Sequence, residues 1–312
     1  MKPFGKFLFI LLILILIIAG VWYFNNNFLA PTEAPKVTLP IKVEKPAATS
    51  TLKITNQSII LASNKEVLEL DPQDNTSKII FSDQNETNKI QALAGITAKS
   101  NELFAVSGEQ KNLVVVKLDG VSKSEILISD FGLPSAIVPS SDGKTIATVT
   151  FSNAERNYGF NLNVMSRSGE NAQSIVTSEE EIANLVWSDD AGKIYYTQVK
   201  DSKTDISSYD FKLGKAAVLY STDKNIQGLS FSQDKLYFIQ TATGITGSQI
   251  FELTSSGEAK KFFETKTEIK DMQISTDNTN IIYTSGKELF IADIKGENFK
   301  KLASNVRIYK WK

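Results

Sequence analysis

The sequence of 312 residues contains neither cysteine nor histidine. The missing cysteines exclude disulfide bridges, thiolate-bound metals and cysteine nucleophiles. The missing histidines exclude a Ser-His-Asp triad, a histidine general base and histidine-ligated zinc or iron. Any catalysis would have to use carboxylate, lysine, tyrosine or serine side chains. We therefore predict no cofactor and no metal site, and leave only a carboxylate-held ion such as calcium as an open alternative.

A strong net charge is also lacking. The 34 basic and 35 acidic side chains give a formal net charge of −1 at pH 7. A protein that binds DNA or RNA usually presents a basic surface that neutralises phosphates. The balance of charges therefore predicts no nucleic-acid partner.

Charge is absent altogether from residues 7–23, and thirteen of these 17 residues are Leu, Ile, Val or Phe. A helix of this length spans about 26 Å, close to the hydrocarbon thickness of a bilayer. Lys2 and Lys6 precede it, and the positive-inside rule keeps them in the cytoplasm. We predict a cytoplasmic tail over residues 1–6 and a single-pass signal anchor in the cytoplasmic membrane over residues 7–24. The bilayer is then a partner of this segment, and the rest of the chain lies on the periplasmic or extracellular side.

Residues 25–50 are predicted to form a proline-rich linker. Four of the eight prolines lie here, at positions 31, 35, 40 and 46. Proline fixes φ and lacks an N–H donor, so neither helix nor sheet is favoured. Twenty residues in polyproline II conformation would reach about 60 Å, which makes the linker a semi-rigid spacer. The alternative for the N-terminus is a cleaved signal peptide with a small-residue site near Ala30, although a proline follows that site at once.

Short apolar runs fill the sequence from residue 51 onward. SIILAS, NLVVVKLD, KTIATVTF, KLYFIQ and NIIYTS are examples, and turn-forming segments such as SRSGEN and TSSGEA separate the runs. Runs rich in β-branched and aromatic residues at regular spacing are typical of strands, and no stretch has a convincing helical period. We predict that residues 51–312 form one all-β domain.

A repeat is visible within this domain. An apolar strand end, a polar turn and a second apolar strand recur, with spacings of 42, 49, 44 and 43 residues between the anchor positions Ile96, Val138, Trp187, Phe231 and Ile274. A period in the low forties with four strands per unit is the signature of a β-propeller blade. Residues 305–312 resemble the first strand of a blade, but no further strands follow them. Residues 57–81 resemble the other three strands of a blade that lacks its first strand. We therefore predict six blades, closed by pairing the C-terminal strand with the N-terminal strands.

The turns of the repeat carry a family resemblance. Trp187-Ser188-Asp189-Asp190-Ala191-Gly192-Lys193 and Pro139-Ser140-Ser141-Asp142-Gly143-Lys144 resemble the Trp-Ser-Pro-Asp-Gly-Lys turn of TolB-like six-bladed propellers. The resemblance covers about residues 51–312. It implies an extracytoplasmic, protein-binding role, and it carries no short motif for the partner-binding residues.

The adjacent carboxylates Asp189 and Asp190 raise a choice between an acidic site and a structural turn. Sister repeats place Ser141 and Asp142 at the same positions. An aspartate in such a turn accepts hydrogen bonds from backbone N–H groups two residues on. We therefore expect these aspartates to hold the fold rather than to perform chemistry.

A functional site is expected on the opposite side, where the loops vary. These are residues 150–161, 198–208 and 240–248, joined there by inter-blade segments such as 177–181. Arg and Tyr are enriched in interface hot spots. The candidate partner-binding residues are Glu155, Arg156, Tyr158, Asp201 and Lys203, and the alternative is that they form solvated hairpin tips.

Two classes of function remain open. The first is a membrane-anchored, extracytoplasmic propeller that binds a protein or another ligand at the cell envelope. The second is an extracytoplasmic, carbohydrate-active enzyme that uses paired carboxylates. The propeller fold supports both, so the fold alone does not decide. The absence of histidine and the scarcity of acidic residues on the variable side favour binding, and no catalytic residue is predicted.

Overall fold

The computed structural model describes residues 42–43, 52–62, 66–82, 90–97, 102–107, 112–117, 123–127, 134–152, 158–241, 247–306 and 308–311. The predicted cytoplasmic tail and signal anchor lie outside these residues, as does most of the predicted linker. The described ranges hold no helix with the length and apolar character that crossing a bilayer requires. Residues Pro40–Lys312 form one compact unit.

The described part of this unit is built from strands. They are β1 (Lys42–Val43), β2 (Ile59–Ala62), β3 (Glu66–Leu70), β4 (Ser77–Ser82), β5 (Ile90–Thr97), β6 (Glu102–Ser107), β7 (Asn112–Lys117), β8 (Lys123–Leu127), β9 (Pro134–Pro139), β10 (Thr145–Ser152), β11 (Gly159–Ser166), β12 (Gln173–Ser178), β13 (Ile182–Trp187), β14 (Lys193–Lys200), β15 (Lys203–Asp210), β16 (Lys215–Thr222), β17 (Asn225–Ser232), β18 (Lys235–Thr241), β19 (Ser248–Leu253), β20 (Ala259–Thr265), β21 (Asp271–Ile274), β22 (Asn280–Ser285), β23 (Glu288–Asp293), β24 (Phe299–Ser304) and β25 (Ile308–Trp311).

These strands form six antiparallel sheets. Five sheets each contain four strands that follow one another in the chain, namely β5–β8, β9–β12, β13–β16, β17–β20 and β21–β24. The sixth, called the closing sheet below, joins the two ends of the domain in the order β25–β2–β3–β4. The strand β1 adds a fifth strand to the β21–β24 sheet, beside β24.

The first strands of the sheets lie side by side around a closed circuit. β5 contacts β9, β9 contacts β13, β13 contacts β17, β17 contacts β21, β21 contacts β25, and β25 contacts β5. The circuit returns to its starting strand, so each sheet is one blade of a β-propeller. The all-β prediction is confirmed, and the inner strands surround the axis of the ring.

Burial explains why the inner strands are apolar. In β10 the successive residues Ile146, Ala147, Thr148 and Val149 are all buried, because neighbouring sheets cover both faces. A strand buried on both faces reads as a continuous apolar run rather than as an alternation. The outer strand β16 has four exposed residues in succession, so the core lies between the sheets and towards the axis.

The outer strands of five sheets share a β-bulge. In each of the five, the pairing register with the third strand of the sheet shifts by one residue and leaves one apolar residue without an opposite partner. The unpaired residues are Ile80, Ile175, Leu219, Phe262 and Leu302. A bulge re-aims side chains, and four of these five side chains pack into the clusters between sheets. The bulge therefore directs two adjacent apolar residues towards the core.

The predicted closure of the ring is confirmed at the level of strand register. β25 pairs with β2, so that Trp311 lies opposite Ile59 and Ile308 lies opposite Ala62. Trp311 is 4% exposed, and its indole N–H donates to the Gln273 carbonyl oxygen at 3.4 Å. The two chain ends therefore share one blade, and the C-terminal strand supplies its innermost position.

One predicted loop is wrong. Residues 198–208 were expected to vary as a loop, but they form the end of β14, a two-residue turn and most of β15. Ser207 and Ser208 are buried in β15, where their small side chains fit between closely packed sheets. Serine is common in turns, so a stretch rich in serine predicts one. Here, however, the backbone of β15 pairs with β14 on one side and with β16 on the other.

Candidate interaction face

The propeller has two different faces because successive strands of a sheet run in opposite directions. The turns between first and second strands, and between third and fourth strands, lie at one end, here called the turn face. The connections between second and third strands, and the links from one sheet to the next, lie at the other end, here called the loop face.

The turn face carries the repeated aspartates in structural roles. Ser188 Oγ donates to Asp190 Oδ1 at 2.6 Å, and the Gly192 N–H donates to the same oxygen at 2.9 Å. These two hydrogen bonds stabilise the carboxylate and lower the pKa of Asp190 below its ordinary value. Ser140 Oγ bonds Asp142 Oδ1 in the same way at 2.7 Å. The prediction that Asp190 holds a turn is confirmed.

The residue between the serine and the aspartate of each turn links one sheet to another. Ser141 Oγ donates to the Asp189 carbonyl oxygen at 2.8 Å, and the Gln233 N–H donates to Asp189 Oδ2 at 3.1 Å. Gln233 Nε2 donates to the Thr276 carbonyl at 2.6 Å, and the Thr276 N–H donates to Gln57 Oε1 at 3.1 Å. Asp189 is thus part of a hydrogen-bonded chain that ties the inner ends of neighbouring sheets together.

The loop face holds the residues predicted to bind a partner. Glu155 and Arg156 lie outside the described residues. Tyr158 lies directly before β11, and its side chain is 59% exposed. Asp201 lies in the turn between β14 and β15, and Lys203 begins β15. Tyr158 and the Asp201 turn therefore share the loop face but belong to neighbouring sheets.

Tyr158 belongs to an exposed aromatic cluster. Its ring meets Phe151 edge-on at a centroid distance of 5.5 Å, and Phe151 meets Phe160 at 5.0 Å. Phe151 is 43% exposed, although it ends a strand whose interior is buried. The cluster formed by these three residues, called the aromatic rim below, presents apolar surface to solvent. Sequence reasoning did not select Phe151, because it continues an apolar strand and looked like part of the core.

Gly159 fixes the backbone beside the aromatic rim. Its φ of +127° is a conformation that residues with a side chain rarely adopt. A Cβ at this position would collide with the Ser178 carbonyl oxygen at the end of β12. Gly247 is equivalent in the β17–β20 sheet, where a Cβ would collide with the Thr265 carbonyl. The start of the third strand therefore packs tightly against the end of the fourth beside Tyr158.

The Asp201 turn is a rigid hairpin rather than an adaptable loop. Asp201 and Ser202 have φ values of 50° and 64°, as a two-residue type I′ turn requires. Lys203 lies opposite Lys200 across the hairpin, so two like charges stand side by side in solvent. Asp201 and Lys203 thus form a charged tip on the loop face.

A second feature of the loop face lies at the seam between β21 and β25. Asp271 is the first residue of β21 and accepts a 2.8 Å hydrogen bond from the Met272 N–H. Although Asp271 keeps an exposed surface, surrounding protein desolvates its carboxyl group and raises its pKa to about 6. Burial, and then the charge of Asp271, raise the pKa of the neighbouring Tyr309. Among the described acidic residues of the loop face, Asp271 is therefore the one whose pKa desolvation raises.

We expect Asp271→Asn to change how stability depends on pH. The folded-state pKa lies above the unfolded value near 3.8, so this carboxyl stabilises the fold below that value and loses the effect as pH rises through about 6. The melting temperature of Asp271→Asn minus that of the wild type should therefore increase between pH 4 and pH 7. Thermal melts at each pH measure this difference.

Asp277→Asn is the matched control. Burial opposes ionisation there, but hydrogen bonds from Ser275 and its neighbours lower the pKa of Asp277 to about 2. The control should lose stability at neutral pH and approach the wild type in acid, which is the opposite trend. A parallel pH dependence for Asp271→Asn and the wild type would contradict the assignment.

The described ranges contain no group of three or more acidic side chains placed to hold a metal ion. No protein-family model matches the sequence, and no curated protein sequence matches it.

Solved structures do match the fold. TolB from Acinetobacter baumannii superposes with a TM-score of 0.61 at 15% identity, over 82% of this chain and 66% of that chain. A protein assigned as TolB from Agrobacterium tumefaciens gives a TM-score of 0.59 at 15% identity, over 81% of this chain and 92% of that one. An oligogalacturonate lyase in complex with manganese gives 0.56 at 9% identity, over 76% and 70%. This chain therefore shares the β-propeller fold of these structures.

Proposed function

We propose that this chain, a β-propeller of the TolB-like fold, is anchored in the cytoplasmic membrane and acts outside the cytoplasm as a protein-interaction module of the cell envelope. The uncharged segment at residues 7–24 supports the anchor, because its length and composition suit a bilayer. The likeness to TolB proteins supports the fold on which such a role would rest.

The aromatic rim carries the proposal. Phe151 and Tyr158 expose large apolar surfaces at the end of a rigid sheet, where folding alone would favour their burial. Aromatic residues are enriched where proteins meet, because a ring buries much area while losing little conformational freedom. The charged tip at Asp201 and Lys203 lies on the next sheet and gives the face a polar border. An apolar centre with a polar border is the usual anatomy of a protein interface.

The similarity to the oligogalacturonate lyase does not make a carbohydrate-active enzyme a second candidate function. A shared propeller fold at 9% identity carries no catalytic residue over to this chain. The loop face, by contrast, offers a defined surface that mutagenesis can test.

We expect Tyr158→Ala and Phe151→Ala to weaken partner binding by more than 1 kcal/mol each, or at least fivefold in Kd, because hot spots are centred on such rings. Tyr158→Ala should leave the free energy of unfolding within about 0.5 kcal/mol of wild type, since Tyr158 is 59% exposed. Phe151→Ala should cost more, because Phe151 is 43% exposed and packs against Phe160. The partner is captured by crosslinking in native membranes, and Kd is then measured with the purified pair. Arg156→Ala and Glu155→Ala extend the test to the adjacent residues.

Leu213→Ala is the matched control, because Leu213 is 65% exposed but lies in a turn of the opposite face. It should leave Kd unchanged. Full affinity in both aromatic variants, together with a loss in the Leu213 variant, would show that the turn face binds the partner.

A further inference from the structure

The chain segment that follows β12 borders the aromatic rim. Phe160 pairs with Ser178 at the end of β12, so the chain that continues from Ser178 passes beside the start of β11. A Cβ placed on Gly159 would lie 3.2 Å from the Cα of Glu179. Residues 179–181, called the acidic link below, and the aromatic rim therefore form one continuous patch of the loop face.

Hydrogen bonds hold the acidic link at both of its ends. The Glu180 N–H donates to Ser178 Oγ at 2.9 Å, and Gln198 Nε2 donates to the same oxygen at 2.6 Å. The Val199 N–H donates to the Glu181 carbonyl oxygen at 3.3 Å. These bonds fix the backbone of the link, so a partner that binds there has little backbone to order.

The three glutamates of the acidic link carry charge of a single sign. All three are exposed, and none of them forms an ion pair within the described ranges. The links that follow β16 and β20 differ. Lys224 pairs with Asp223 at 3.5 Å in the first, and residues 266–270 of the second contain both lysine and glutamate. The acidic link therefore places a negative field beside the exposed rings of the rim.

The lysines of the charged tip oppose this field from the neighbouring sheet. Lys200 and Lys203 lie opposite each other across the hairpin, and neither forms an ion pair with the described glutamates of the link. Their charges repel the same partner that the glutamates attract. The two groups therefore make opposite contributions to the binding of any charged partner.

We propose that the aromatic rim and the acidic link together bind a basic protein segment that carries arginine beside apolar side chains. The inference rests on the proposed function of the rim, because it names the class of partner that the rim binds. Apolar side chains cover the exposed rings, and a guanidinium group both stacks on aromatic rings and pairs with carboxylates. An acidic partner would be repelled by the link, and a neutral one would desolvate its carboxylates without pairing them.

The charge of the partner is tested with two labelled synthetic peptides and the full-length protein in a non-ionic detergent. One peptide alternates arginine with leucine, and the other replaces each arginine by citrulline, which is neutral and has nearly the same shape. Fluorescence anisotropy in dilute buffer should give a Kd about tenfold lower for the arginine peptide, and strong salt should reduce this difference. Equal Kd values in dilute buffer would overturn the basic partner.

The position of the site is tested by removing charge from either face. Replacing the three glutamates of the acidic link by glutamine should raise the Kd of the arginine peptide about fivefold, because three modest exposed ion pairs are lost. The matched control removes the same charge from three exposed glutamates in turns of the turn face and should leave Kd unchanged. Its substitutions are Glu170→Gln, Glu258→Gln and Glu297→Gln. Equal losses in the two triple variants would show a general attraction to acidic surface and overturn the site.

The charged tip gives a test of opposite sign. Lys200→Gln combined with Lys203→Gln should lower the Kd of the arginine peptide about twofold, because the repulsion from the tip is removed. A higher Kd in this variant would show that the lysines attract the partner, and it would overturn a basic segment.

The same variants separate this inference from the proposed function when the partner crosslinked in native membranes replaces the peptide. If Tyr158→Ala weakens its binding but the acidic-link variant and salt do not, the basic partner is overturned and the proposed function stands. If the acidic-link variant weakens binding but Tyr158→Ala and Phe151→Ala do not, the rim is not the site, and both are overturned. Losses in the aromatic and the acidic-link variants together support both.

Discussion

Deletion of residues 305–312 is expected to unfold or aggregate the domain. The deletion removes β25, which leaves β2 with an unpaired edge next to the axis and opens the ring between β21 and β5. It also removes Tyr309 and Trp311 from the cluster at the closing seam. Replacing Trp311 alone by Ala should cost about 3–5 kcal/mol, out of a typical total stability of 5–15 kcal/mol.

Thermal and urea unfolding of the full chain in detergent measure this effect. The control is a truncation of residues 1–39, which precede the Pro40–Lys312 unit, and it should leave the melting temperature of that unit unchanged. If both terminal truncations leave the melt unchanged, the closing strand contributes nothing and the ring is held by its other contacts.

The second large effect is expected at the ion pair between Glu102 and Arg167. Glu102 begins β6 and is 1% exposed, while Arg167 follows β11 in the next sheet and its side chain is 41% exposed. Arg167 Nη2 donates to Glu102 Oε1, and Glu102 Oε2 has no hydrogen-bond partner in the described structure. The arginine is therefore the counter-ion of a buried carboxylate, and the pair joins two neighbouring blades.

Arg167→Met should destabilise the domain by about 3 kcal/mol at pH 7, because it leaves a buried charge without compensation. The partial exposure of the arginine places the effect at the lower end of the range for buried pairs. The double variant Glu102→Leu, Arg167→Met should recover most of the loss, since an apolar pair needs no counter-ion. Urea unfolding gives all the free energies. A single variant with the stability of wild type would show that solvent already screens Glu102.

The repeat allowed the fold to be predicted from the sequence, because the repeated residues interact with near neighbours in the chain. The serine and aspartate of each turn bond one another within three residues, so their spacing survives when the flanking strands diverge. Two tryptophans are a second signal of the repeat, because each packs between two sheets and donates a hydrogen bond to the preceding one. Trp187 donates to the Val138 carbonyl of the preceding sheet at 3.0 Å, and Trp311 donates to the Gln273 carbonyl of the preceding sheet at 3.4 Å. The anchor at Val138 was misplaced by one residue, because the shared serine aligns Pro139 with Trp187.

The features that the sequence did not reveal depend on long-range packing. The pairing of Lys42 with Ser304 joins residues far apart in the chain, and the prolines around it indicate a spacer. In the sequence Phe151 looks like a core residue, because it continues an apolar strand and no local pattern distinguishes an exposed strand end from a buried one. At the candidate site, sequence reasoning placed Tyr158 and Asp201 on one face, but it could not identify the ring that packs against Tyr158.

The five bulges have a consequence for the protein at high concentration. Fibrils grow when long, straight segments of backbone stack in register on an identical segment. At the outer edge of this propeller the bulge interrupts the ladder of five outer strands, and four of the five unpaired apolar residues pack inward. At high concentration we therefore expect contacts between the outer edges of two copies to pair only over short stretches of backbone, which disfavours fibril growth.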